Sequence, residues 1–145
     1  MAVACAFLLA IAGCGDEGVA EGATVAVYSS ASLCVEAKRE LARSGQPEDV
    51  RVRIVCLADA EGDGRLDLAT IGANARRAVA DSRTVAYVGE PTRAATRFSA
   101  TILREADIAQ LSDRPGGAAM AEVLGALRQA DDSASPRESL DEELG

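Results

Sequence analysis

Residues 84–112, TVAYVGEPTRAATRFSATILREADIAQLS, constrain the fold more than any other stretch, because one short run reads as strand, turn, helix and second strand. Residues 84–89 are β-branched and aromatic and end on Gly89, the pattern of a strand buried on both faces. Glu90-Pro91-Thr92 opens a helix in which Ala95, Phe98, Ile102 and Ala106 recur at three- and four-residue spacing, which predicts one apolar face. Asp107 ends that helix, and residues 108–111 form the next strand. Strands joined through a helix pair in parallel by a right-handed crossover, since a tight hairpin joins only antiparallel strands. In such open α/β sheets ligands lie beyond the carboxyl ends of the strands. Here those ends are residues 89–92 and 112–116.

The remaining elements fit the same plan. Residues 24–28 predict a first strand, and Ser30 or Ser32 is placed to cap a helix over 33–44 with Cys34, Ala37 and Leu41 as its buried stripe and Gly45 as its stop. Hydroxyls at this strand end and helix start also suit a carboxylate or phosphate, so Ser30 is a candidate ligand contact beside its capping role. Val50, Val52, Ile54 and Cys56 alternate with Arg51, Arg53 and Val55, as in an edge or half-exposed strand. Residues 59–70, DAEGDGRLDLAT, match part of a calcium-loop register, but Thr70 stands where the bidentate glutamate is required and a strand precedes the loop. They read instead as a solvated turn, with Asp67 or a neighbour starting a helix over 66–82 that buries Leu68, Ile71, Ala75 and Val79, and no metal is expected. A last helix over 118–130 presents Met120, Val123, Leu124 and Leu127. The expected fold is α/β, a three-layer sandwich over residues 24–130 with a mostly parallel sheet of about four strands.

Both ends carry separate signals. Residues 1–13 are apolar but too few to span a bilayer, and read as a signal-peptide core. Ile11-Ala12-Gly13-Cys14 resembles the lipobox of bacterial lipoproteins, in which the cysteine is diacylated and becomes the new N-terminus. That resemblance implies lipidation at Cys14, a linker over 14–23 and a place on the extracytoplasmic face of the cell membrane, held by two acyl chains. In that compartment Cys34 and Cys56 either form a disulfide or stay as two buried thiols. Residues 131–145 read as a linker and a short acidic helix, in which Ser135, Pro136 and Glu138 compose a capping box with proline at the first helical position.

Composition narrows the function. Of the net charge of −8, residues 131–145 contribute −5, with six acids against Arg137, and no basic face is left to neutralise nucleic-acid phosphates. The chain has no histidine, the commonest general base and metal ligand. It also lacks a nucleophile elbow, a phosphate-cradling glycine loop and a CxxC pair, so neither an enzyme nor a cofactor is expected.

Val85-Ala86-Tyr87-Val88-Gly89, the helix after it and Ile108-Ala109-Gln110-Leu111-Ser112 resemble the first lobe of type 1 periplasmic binding proteins, the branched-chain amino-acid receptors of ABC transporters. The resemblance covers residues 24–116 and implies a Rossmann-like first lobe that holds a small polar ligand such as an amino acid and meets a transporter permease. By that resemblance Glu90, Thr92 and Arg93 after the glycine, and Asp113, Arg114 and Gly116 after the next strand, carry the ligand contacts, with Glu90 facing an ammonium. Two departures stand out. Glu90-Pro91-Thr92-Arg93 replaces the family's serine-rich loop, with Pro91 removing a backbone donor, and the chain's length accommodates one lobe only. The competing expectation is a non-catalytic interaction module that forms a homodimer or docks a partner through the exposed cleft face.

Overall fold

The computed structural model describes residues 22–62, 65–90 and 92–129. The signal segment, Cys14, Pro91 and the acidic C-terminal helix read from the sequence lie outside them. The chain runs β1 (Ala23–Ser29), α1 (Ala31–Ser44), β2 (Val50–Cys56), β3 (Glu61–Gly62), β4 (Arg65–Leu66), α2 (Leu68–Ala80), β5 (Thr84–Val88), α3 (Arg93–Arg104), β6 (Ala109–Leu111) and α4 (Gly116–Gln129). The main sheet is four-stranded in the order β2-β1-β5-β6, and all three pairings are parallel. The fold is the expected α/β three-layer sandwich.

Strand order decides which face each helix covers. From β1 the chain steps outward to β2, then returns past β1 to β5 and on to β6, so right-handed crossovers put α1 on one face and α2 and α3 on the other. Val27, Val52, Val85 and Val88 accordingly pack under α1 and α4 with Ala37, Met120, Val123 and Leu124. Ala26, Tyr28 and Tyr87 pack under α2 and α3 with Ala75, Ala78 and Leu103. β5 is buried along its whole length, as its uninterrupted apolar run requires.

Three details depart from the reading of the sequence. On α3 the buried side chains are Ala95, Ser99 and Leu103, and Phe98 is 40% exposed, so the helix is turned by about one residue from the expected face. Ser99 tolerates burial because its hydroxyl donates to the Ala95 and Thr96 carbonyls and accepts from Gln110 Nε2 at 2.7 Å. Phe98 lies across α2 at Gly72, where a β-carbon would come within 3.2 Å of the ring. On α2 the N-terminal Leu68 is 48% exposed and Ala78 takes a buried place beside Ile71 and Ala75. The turn before α2 contains a short antiparallel hairpin, β3 with β4, which the calcium-loop comparison obscured. Asp67 caps α2, accepting from the Ala69 and Thr70 amides and from the Thr70 hydroxyl at 2.6 Å.

Two devices secure β2, an outer strand of the sheet. Along its free edge the Gln46 side chain donates to the Val52 carbonyl at 3.1 Å and accepts from the Val52 amide at 2.6 Å, standing in for one residue of a neighbouring strand. Near the end of the strand Cys56 is disulfide-bonded to Cys34 in α1, with Cα atoms 5.6 Å apart. The bridge closes a separation of 22 residues, which on the chain-entropy account contributes about 3 kcal/mol. Replacing both cysteines by alanine should lower stability to denaturant by that amount, about 3 kcal/mol. Thiol titration of the unfolded, unreduced chain should find neither position reactive.

Candidate functional site

The strand order reverses between β1 and β5, so the crevice outside their carboxyl ends is the topological switch point. Ser30 and Gly89-Glu90 leave these two strands there, and Ser112 leaves β6 alongside. Ser30 is 6% exposed, and its amide donates to the Val88 carbonyl at 3.0 Å. It occupies the N-cap position of α1 but makes no side-chain cap, its hydroxyl lying 3.5 Å from that of Ser32. The capping role expected of these serines is therefore absent. Gly89 adopts φ +40°, a left-handed conformation that favours glycine, and a β-carbon there would lie 2.6 Å from Leu33 Cδ1. Gly116 is bound just as closely, since a β-carbon would run into the Leu33 carbonyl oxygen. Leu33, in the first turn of α1, thus lies against both glycines.

Most polar groups expected to meet a ligand are already satisfied within the chain. Glu90 is 4% exposed and turned inward, where the Tyr87 hydroxyl donates to its Oε1 at 2.6 Å. Burial pushes the Glu90 carboxyl above its ordinary range against the opposing pull of that hydrogen bond. The Tyr87 hydroxyl is likewise pushed up by burial and by the neighbouring carboxylate. Thr92 Oγ1 accepts the Ala95 amide at 3.2 Å as the cap of α3. Arg114 is paired with Glu122. The Gly116 amide donates to Glu36 Oε2 at 2.9 Å, so a carboxylate of this chain already sits at the start of α4.

Arg93, Asp113 and Arg114 are the predicted contacts left exposed, and of these Arg93 and Asp113 have no ion-pair partner among the described residues. The structure brings Ser30, Glu90 and Gly116 to the switch point but commits Glu90 and Gly116 to internal partners. Leu33, Glu36 and Tyr87 were not anticipated, and Ser112 was expected only as part of the 112–116 strand end. The Ser112 hydroxyl is buried with no hydrogen-bond partner among the described residues. A buried tyrosine needs a partner for its hydroxyl, and Glu90 three residues on was the one signal that could have exposed the pair. The described residues contain no cluster of acids or cysteines able to hold a metal, and no helix among them is long and apolar enough to cross a membrane. No protein-family model, curated protein or solved structure matches the chain.

Because the folded-state pKa of Glu90 is raised, its contribution to stability is present below the unfolded-state value and is lost as pH rises through the folded-state one. Glu90→Gln stays neutral, so its stability relative to wild type should grow from pH 4 to pH 8, whereas Tyr87→Phe should steepen the wild-type loss; melting curves across that range check both. Gly116→Ala should cost about 1–3 kcal/mol through overpacking against the Leu33 backbone, measured by denaturant unfolding.

Proposed function

We propose that this chain is a non-catalytic extracytoplasmic binding lobe that pairs with a second copy of itself through the strand-end face. The observation that carries the reading is the state of that face: Glu90 and the Gly116 amide are committed to internal partners, Leu33 lies against both glycines, and the exposed charges at its rim that lack an ion-pair partner among the described residues, Arg93 and Asp113, are of opposite sign. Such a pair suits a two-fold interface, in which Arg93 of each copy meets Asp113 of the other. The Cys34–Cys56 bridge supports a place outside the reducing cytoplasm. Both ends of the described chain leave at the opposite edge of the sheet, at Gly22 and Gln129. A lipid anchor at Cys14 would accordingly hold the lobe with its strand-end face directed away from the membrane.

The Ser30 hydroxyl, which caps nothing, and the unpartnered Ser112 hydroxyl favour one second reading, a small solute held at the switch point as in the first lobe of the type 1 binding proteins. Sedimentation and thermal melting separate the two. For the pairing lobe, the mature chain should sediment as a dimer, Arg93→Asp and Asp113→Arg alone should each yield monomer, and the double exchange should restore the dimer. For the solute receptor, amino acids or small anions should raise the melting temperature, by the equivalent of about 2.7 kcal/mol at a hundred times the dissociation constant, and the charge exchanges should leave the oligomeric state unchanged.

A further inference from the structure

Folding segregates charge in a way that the order of residues does not display. α2 and α3, packed together over one face of the sheet, carry five arginines, Arg76, Arg77, Arg93, Arg97 and Arg104, and no acid. All five are exposed, and none is in an ion pair among the described residues. The layer on the other face is balanced, with three acids in α1 and α4 against four bases, and Glu40 and Glu122 are paired with arginines. On α3 Arg93, Arg97 and Arg104 follow at spacings of four and seven residues, which sets them on one stripe turned away from the buried Ala95, Ser99 and Leu103.

The same layer carries apolar surface. Of the three exposed large apolar side chains among the described residues, Leu68 and Phe98 lie here, 48% and 40% exposed. Leu68, Gly72 and Arg76 succeed one another at four-residue spacing along α2, and a β-carbon at Gly72 would stand 3.2 Å from the Phe98 ring and 3.3 Å from the Arg76 guanidinium. Phe98 therefore fills the seam between the two helices at Gly72, where a peptide's side chains would otherwise enter. We propose that the α2–α3 layer seats on an anionic lipid bilayer, with its guanidiniums on headgroup phosphates and Leu68 and Phe98 at the acyl boundary. A nucleic-acid backbone would match the arginines but offer Leu68 no apolar surface to meet. Exposed charges farther apart than roughly 10 Å are screened at ordinary salt, so the bilayer meets this layer rather than the chain's net charge of −8. Helices packed on a sheet run along its strands, so a lobe seated in this way turns its strand-end face along the bilayer, overriding the orientation that an anchor alone would give. The seating does not depend on pairing, which is read separately by sedimentation without vesicles.

Flotation of the full mature chain, free of acyl groups, with extruded vesicles tests this. The chain should float with phosphatidylcholine and phosphatidylglycerol mixed in equal parts and not with phosphatidylcholine alone, and added salt should weaken the binding. Arg76→Gln and Arg97→Gln should each weaken it about fivefold, the contribution of a single cationic charge near an anionic surface. Leu68→Ser should weaken it while leaving the salt dependence unchanged, and Arg39→Gln, on the opposite layer, should leave it at the wild-type level. These four positions are exposed, so the variants should melt cooperatively. Equal flotation with the two compositions, absent binding included, overturns the proposal, as does a loss with Arg39→Gln as large as with Arg97→Gln. So does arginine-dependent binding to a duplex oligonucleotide by a chain that does not float, which would assign the face to nucleic acid.

Discussion

β1 and β5 lie side by side with apolar residues on both faces, and the rest of the fold is placed by the need to cover them. A strand buried on two sides cannot be served by one helix layer, so the helices divide, α1 and α4 over one face and α2 and α3 over the other. The division forces the chain to reverse its direction of travel across the sheet after β2, and that reversal creates the crevice between the carboxyl ends of β1 and β5. The crevice is thus a by-product of covering the core.

How the crevice is finished matters as much as its presence. Leu33 lies against two glycines, Gly89 and Gly116, so that α1, β5 and the start of α4 meet at backbone distance. The Cys34–Cys56 bridge, anchored one residue after Leu33, pins the first turn of α1 to the end of β2. Glu36 from the same helix receives the Gly116 amide. A face assembled from one helix turn, two glycines and a disulfide is well held, and the buried Ser112 hydroxyl beside it is left without a hydrogen-bond partner among the described residues. The acidic pair Tyr87–Glu90 lies just inside it, a buried carboxyl with a single described hydrogen-bond partner.

The opposite edge of the sheet is organised by other means. Asp81, at the end of α2, accepts from Tyr28 at 3.1 Å, from Arg53 at 2.9 Å and from the Arg83 side chain at 3.1 Å, tying α2, β1 and β2 together. Burial by itself would push the Asp81 carboxyl up, but the Arg83 amide and side chain and the Tyr28 hydroxyl together hold it below its ordinary value. Burial pushes the Tyr28 hydroxyl up, and the same carboxylate adds to that rise. Charge networks therefore sit where the chain ends leave the domain, and apolar close packing sits where it presents its face.

Much of this architecture was legible in the amino-acid order alone. The doubly buried run at 84–88, the alternation at 50–53, the apolar stripe of α4 and the Asp67 start of α2 each follow from local period and capping chemistry, which need no knowledge of distant residues, whereas the alternation lapses at 54–56, where Ile54 and Val55 are both half-buried and Cys56 is exposed. The pairing of Cys34 with Cys56 was one of two open outcomes, and the 5.6 Å approach of their Cα atoms decided it. The rotation of α3 that exposes Phe98 and buries Ser99 depended on Gly72 and Gln110, residues on other elements that no local pattern could reveal. The site was less legible still. Sequence brought Ser30, Glu90 and Gly116 to the strand ends because those positions follow from the succession of strands and helices. Only tertiary structure decided that Glu90 turns in to Tyr87, that Glu36 occupies the start of α4 and that Leu33 lies against Gly89 and Gly116, because each is settled by which side chain reaches a given atom first across the folded interior.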